Sequence, residues 1–353
     1  MRAARYYGPR DVRVEEMDPE TVGANDVRVE VAACGICGSD LHEYAAGPIT
    51  IPEAPHPVTG DALPITIGHE IGGTIVETGA DVDLEEGTNV AVNPIIWCGD
   101  CQYCDGGNYH RCQSGGFVGL SGGGGGFSEN VVVSAEKAIP IPDDVPVELA
   151  ALVEPFTVGV HAVEQSGLRP GDAVAVFGSG PIGLAVLQAA LAAGAGPVYV
   201  SEPQATRRTR AADCGADVTI DPSDGDPVST IRDETGGVDV AFEVAGVEQS
   251  LNHALTVTRA GGTATIVSLF EEPVAIDPND IVVTERIVVG TAAFEGGPLS
   301  GREFGTTVRN FATGDFDPEA LVTSRIDLED IVEDGFETLM ADGSDEVKIL
   351  VRP

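Results

Sequence analysis

Four cysteines crowd into one short segment, Cys98-x-x-Cys101-x-x-Cys104 followed by Cys112. Four thiolates at this spacing make a tetrahedral zinc site with no position left for a substrate, so its task is to fold a lobe. An iron–sulfur cluster is the main rival, but such clusters serve electron transfer and the sequence offers no other relay. Seven cysteines in all, an odd number crowded in this way, read as metal ligands in a reducing compartment rather than as a disulfide framework. A second piece of chemistry is Gly178-Ser179-Gly180-Pro181-Ile182-Gly183, which follows an apolar strand and opens a helix running through Ala193. Gly178 permits the tight turn, Gly180 lets a pyrophosphate approach the backbone, and Gly183 lets helix and strand pack closely. Pro181 and Ile182 begin the helix, whose N-terminus attracts phosphate. Glu202 lies 19 residues beyond Gly183 and ends the next strand. Its carboxylate would accept both ribose hydroxyls and repel a 2′-phosphate, which favours NAD over NADP. Arg207 and Arg208 follow closely and could cradle a phosphate. With Glu202 present they read as solvated helix residues, Arg207 being retained as a cofactor contact.

Three further ligand-type residues stand at suggestive places: Cys37 in Cys34-Gly-Ile-Cys-Gly-Ser-Asp-Leu-His42, His69 in Gly68-His-Glu70, and Glu154 before Pro155. None convinces singly, because a lone cysteine is often a small buried hydrophobe and a lone histidine a hydrogen-bonded core residue. Cys34 and Cys214 are placed in that ordinary class, and His56, His110 and His253 receive no functional role.

The elements that must carry these residues change character along the chain. The first third is β-rich, with Val12–Glu15, Val27–Val31 and Asn89–Val92 alternating or running apolar between turn residues. Residues 47–57 form a Pro-rich surface loop, and Gly122–Gly126 read as a flexible turn before a strand at Asn130–Val133. From about Asp172 the strands Ala173–Phe177, Pro197–Val200 and Val238–Phe242 alternate with helical segments, which indicates βαβ units and a parallel sheet. A helix at Arg302–Thr313 and a terminal strand at Val347–Val351 follow. The expected domains are residues 1–150 with a metal lobe at about 95–114, residues 151–290 binding nucleotide, and a return segment at 291–353.

With Cys37, His69-Glu70, the cysteine lobe and the glycine turn in this order, the chain resembles the zinc-dependent medium-chain dehydrogenases from end to end. Within them it is similar to the butanediol dehydrogenase branch, through Cys34–Tyr44, His56–Gly60, Gly119–Phe127, Leu152–Phe156 and Ser201-Glu-Pro203. The resemblance implies an α/β fold: a β-rich, GroES-like catalytic domain with a zinc lobe, and a Rossmann domain with a doubly wound parallel sheet. It implies two zincs per chain and NAD. Cys37, His69 and Glu154 would hold an open catalytic zinc, with Glu70 behind them or exchanging as a ligand. Ser39 resembles the hydroxyl that first receives the substrate proton, and His42 the group that passes it to solvent. The implied reaction is hydride transfer between NAD and a small secondary alcohol or vicinal diol, such as butane-2,3-diol and acetoin. Polyol, threonine and glucose dehydrogenases are the rivals within the superfamily. A noncatalytic nucleotide-binding sensor is the rival of another class, although such proteins usually lack the metal ligands. The resemblance also implies a homo-oligomer, dimer or tetramer, paired through an edge strand near Arg286–Gly290.

Charge bounds the partners. The 353 residues carry 57 acidic against 19 basic side chains, a net charge of −38, and only Lys137 and Lys348 are lysines. Such a chain does not displace phosphate counterions from nucleic acid or dock on an anionic membrane. Yet 42% of its residues are hydrophobic, so it is no acidic disordered tail. At roughly 1 M salt the Debye length is about 3 Å and self-repulsion is screened, which suggests a salt-rich cytosol and a halophilic source. Met1–Tyr7 lacks a signal-peptide core, and the richest apolar window, Ile182–Val200, is interrupted by Gln188 and glycines. A cytoplasmic enzyme is expected.

Overall fold

A computed structural model describes all 353 residues. The chain divides into two compact units, one of residues 1–154, 294–312 and 322–353, the other of residues 155–293 and 313–321.

In the first unit the central strand is Asp26–Gly35, whose Val27, Val29 and Val31 are buried while Glu30 faces out. That period-two pattern is what a half-covered strand requires. It pairs antiparallel with Glu70–Thr78, with Asn130–Ser134 and, through Cys34 and Gly35, with the C-terminal strand Lys348–Arg352. The sheet continues through Asn89–Val92 and Ala138–Pro140 at one side and Val322–Asp327 at the other. Ile71, Ile75, Val90, Val92, Phe127, Phe336 and Ile349 are among the side chains that close its core. The last strand therefore returns from the far end of the sequence to lie beside the first long one.

The second unit has six parallel strands in the order Val218–Ile220, Val198–Ser201, Val174–Phe177, Val238–Glu243, Thr258–Ile266 and Ile287–Gly290. Helices Pro181–Ala192, Ala205–Asp213, Pro227–Thr235 and Glu248–Val257 connect them. Val174–Phe177 is buried throughout and lacks alternation, as expected of a strand covered on both faces. Strand order reverses on either side of it, and such a switch point is where this architecture binds nucleotides. The architecture is the expected α/β one, with a β-rich unit and a doubly wound parallel sheet.

One expectation is corrected. Gly122–Gly126 is no flexible turn, because each glycine answers a steric demand. Gly122, Gly123 and Gly124 have φ of +87°, +71° and +81°. A Cβ at Gly125 would stand 2.4 Å from the Thr66 carbonyl oxygen, and one at Gly126 2.6 Å from Cys34 Sγ. The Pro-rich loop docks on this run: Gly123 N–H donates to Asp61 at 2.7 Å, and Thr59 Oγ1 to the Ser121 carbonyl at 2.8 Å. No helix is long and apolar enough to cross a membrane.

Candidate metal and nucleotide sites

Cys37 caps the helix Gly38–Ala46 just beyond the central strand, and its N–H donates to Asp40 Oδ2 at 2.9 Å. His69 is held by its neighbour: Gly68 has φ of +98°, and a Cβ there would stand 2.8 Å from the Phe127 ring and 2.9 Å from Cys34 Sγ. Buried His69 places Nδ1 3.5 Å from Asp40 Oδ1 and Nε2 3.2 Å from Ser39 Oγ. The Phe117 ring meets the His69 imidazole edge-on at 6.1 Å. Donor atoms of Cys37, His69 and Glu70 all lie within 4.8 Å of one another. The sequence reading placed both carboxylates with Cys37 and His69, Glu154 as a ligand and Glu70 behind it or exchanging as one. Adjacent residues of a strand face opposite ways, but the strand begins only at Glu70, so His69 lies outside it and both side chains reach one point. Glu154 is not part of this mutually adjacent set. It is buried nearby: desolvation pushes its carboxyl up to about 8, with His69 opposing and Glu70 reinforcing.

Asp40 Oδ1 and His69 Nδ1 are buried without a well-formed hydrogen bond to any partner. An imidazole that binds a metal through one nitrogen usually turns the other to a carboxylate. Together with a thiol and a carboxylate in reach, this arrangement fits a zinc ion. The Lys348 ammonium, also buried, donates to both oxygens of Glu70 at 2.6 and 2.8 Å. Burial would lower its pKa, but Glu70 and then Cys37 outweigh that and hold it raised. His42 is exposed on the same helix as Ser39.

In the cysteine lobe, Cys112 Sγ lies 3.4 Å from Cys98 and 3.9 Å from Cys101, and Cys101 lies 3.6 Å from Cys104. All four are free thiols. These separations are far beyond a disulfide bond. They match the edge of a tetrahedron with zinc–sulfur bonds of about 2.3 Å, roughly 3.8 Å. Backbone N–H groups, Cys104 first and then Gln113, lower the Cys101 thiol to about 6, which suits a metal-binding thiolate. Trp97, the only tryptophan, adjoins the lobe. Tyr109 meets it at 5.8 Å and Lys137 Nζ lies 4.2 Å from its ring centre.

At the carboxyl ends of the parallel strands a cavity of about 530 Å³ is lined by Gly178, Gly180, Glu202, Arg207, Val247 and His253, among others. Gly178 has φ of +103°, and a Cβ at Gly183 would stand 2.1 Å from the Gly178 carbonyl oxygen. Both positions are therefore closed to other residues. Pro181 and Ile182 open the helix as expected. Glu202 Oε2 accepts from Ser179 N–H and Oε1 from Gln204 N–H, both at 2.9 Å, which fixes the carboxylate on the cavity wall. Arg208 bonds the carbonyls of Glu202 and Pro203 and pairs with Asp221, and Arg207 lines the cavity.

Sequence reasoning gave no role to Asp40, Phe117, Lys348 or Glu243. Buried Glu243 accepts from the N–H groups of Ala245 and Gly246, both at 2.8 Å, and from the hydroxyls of Ser250 and Ser268. It thereby ties together two loops at the carboxyl edge of the sheet. For Asp40 a signal existed: an acid three residues after Cys37, in the first turn of a helix. Lys348 had one too, as one of two lysines in the chain.

Residues 23–143 match the family of the alcohol dehydrogenase GroES-like domain, and residues 181–310 match that of the zinc-binding dehydrogenases. An (R,R)-butanediol dehydrogenase of Bacillus subtilis is 43% identical, with the whole of both chains covered. A sorbitol dehydrogenase of the same organism is 33% identical, covering 100% of this chain and 97% of its own. The crystal structure of 2R,3R-butanediol dehydrogenase from Bacillus subtilis superposes with a TM-score of 0.93, covering 100% of this chain and 99% of that one. The chain thus belongs to the zinc-dependent medium-chain dehydrogenases and is a zinc- and nicotinamide-dependent oxidoreductase.

Proposed function

We propose that this enzyme transfers a hydride between NAD and a small secondary alcohol or vicinal diol, with butane-2,3-diol and acetoin as the reference pair. The observation that carries the reading is full-length likeness to a butanediol dehydrogenase, at 43% identity. The buried donor set supports it locally. Cys37 and His69, with a carboxylate from Glu70 or Glu154, would hold the catalytic zinc, and Cys98, Cys101, Cys104 and Cys112 a second one. When bound, the catalytic zinc supplies Lewis acidity that lowers the pKa of the substrate hydroxyl. Ser39, beside His69, is positioned to take the released proton. His42, exposed on the same helix, passes it to solvent. Asp40 holds the His69 ring in orientation. A panel of diols, polyols, threonine and glucose, assayed with NAD and NADP at molar salt, tests the assignment. Sorbitol or threonine preferred over butane-2,3-diol would overturn the substrate class.

Glu202 selects NAD. Replacing it with alanine is expected to raise the KM for NAD by about 10- to 100-fold, the range for hydrogen bonds to a charged group. NADP, relieved of the carboxylate, should be affected far less, with Arg207 on the same cavity wall as a contact for its phosphate. Equal losses with both cofactors would sink this role.

The net charge of −38 supports a salt-rich cytoplasm as the enzyme's working environment. NAD is anionic and approaches a protein of net charge −38, so screening should help it. The KM for NAD is expected to fall as salt rises from low to molar levels, and a constant or rising value would count against salt adaptation. Homo-oligomerisation has support at the edge strand Ile287–Gly290, where Ile287 is 54% and Val288 38% exposed and Val283 nearby is 80% exposed. An open apolar edge of this kind needs a partner, here a second copy of the chain.

A further inference from the structure

Lys348 survives in a chain that has almost no lysine, and it is 1% exposed. Its ammonium has three protons to donate, and all three acceptors are defined: Glu70 Oε1, Glu70 Oε2, and the Ile36 carbonyl at 2.7 Å. The ion pair spans a strand. Lys348 and Glu70 belong to the strands on either side of Asp26–Gly35, and Gly35 pairs with Glu70 on one side and Leu350 on the other. Only glycine at position 35 leaves the passage open, because a Cβ there would stand 2.0 Å from Glu70 Oε2. Ile36, the third acceptor, directly precedes Cys37. One buried ammonium thus grips a carboxylate of the donor set and the backbone next to its thiol. A carboxylate whose two oxygens already serve a cation has less electron density to offer a metal. This partner acts opposite to the acceptors that normally surround metal ligands and raise their basicity.

We propose that Lys348 is a positioning residue that competes with the catalytic metal for the Glu70 carboxylate and so keeps Glu70 from becoming a fixed ligand. The proposal rests on the zinc-dehydrogenase reading of the Cys37 site. Without the ammonium, the buried Glu70 charge has only the metal to turn to. It then binds permanently, holds the metal more tightly and takes the coordination position that the substrate needs.

The test uses the full-length enzyme exchanged with cobalt(II), whose visible bands report coordination. Subtracting the spectrum of Cys37→Ser, which keeps the four-cysteine site, isolates the catalytic centre. In Lys348→Met the isolated band is expected to shift, cobalt loss to a chelator to slow by about 10-fold or more, and kcat/KM to fall on a similar scale, the size of effect that groups around metal ligands have. The KM for the alcohol should rise, because the substrate must displace Glu70 from the coordination position it occupies. Lys348→Arg should restore the original band, since a guanidinium fork also takes both oxygens. The pair Lys348→Met with Glu70→Gln leaves neither charge buried alone, which guards against loss of folding, and its band should match that of Glu70→Gln alone. An unchanged band, faster cobalt loss in Lys348→Met, or an effect of Lys348→Met that persists in the Glu70→Gln background would each overturn the proposal. Absence of any Cys37-dependent band in the unaltered enzyme would instead overturn the metal-site reading itself, and the proposal with it.

Discussion

Replacing Cys37 with serine is expected to lower turnover by well over about 100-fold, because groups that merely support metal ligands already cost about 10- to 100-fold. A serine hydroxyl is neither ionised nor soft, so the site loses its strongest donor while the surroundings keep their shape. The Cys37 N–H bond to Asp40 is made by the backbone and persists. The helix Gly38–Ala46 should therefore still form, and circular dichroism and melting temperature should stay close to those of the parent. Zinc analysis should fall from two ions per chain to one. Substantial residual turnover would remove Cys37 from the chemistry, and a loss of both ions would show that the two sites are not independent.

The second large effect belongs to the cysteine lobe. Cys104 is buried, and its replacement by serine should release the metal of that lobe and unravel residues 98–112, since such sites contribute folding energy outright. A melting temperature about 10 °C lower or more is the expected scale, as each kcal/mol moves a domain of this size by about 2–4 °C. The chain reports the event itself. Trp97, its only tryptophan, is held between Tyr109 of the lobe and Lys137, so its fluorescence should red-shift as the lobe opens. The Cys37 site should retain its zinc in the same protein. Unchanged tryptophan emission together with an unchanged melting temperature would mean that the four thiols carry no structural metal.

These two experiments address parts of the molecule that differ in how far they could be read from the chain. The cysteine lobe was legible because its four donors lie within one short segment, where spacing alone brings the sulfurs together. The glycine turn was legible for the same reason, with Gly178 and Gly183 meeting only a few residues apart. Val174–Phe177 and its parallel neighbours announced themselves by continuous apolarity, and the helix expected at Arg302–Thr313 occurs as Ser300–Thr313. The glycine run misled, because composition reports freedom of the backbone and not the neighbours that forbid a side chain. Asp61, Thr66 and Cys34, which make that prohibition, lie roughly 60 to 90 residues away in the chain.

The amino-acid sequence by itself determined that this is a zinc- and nucleotide-dependent α/β protein, and it named Cys37 and His69 correctly as neighbours. It did so because metal-binding thiols, tight turns and strand periodicity are local properties of the chain. Which carboxylate stands with Cys37 and His69 was decided only in three dimensions. Glu70 lies beside them because its strand starts one residue after His69, while the passage that Gly35 leaves across the central strand ties its carboxylate to Lys348. That passage joins residues 278 positions apart, and no spacing rule reaches so far. The sheet makes the contact by returning the end of the chain to the side of its beginning, where one buried charge must find another.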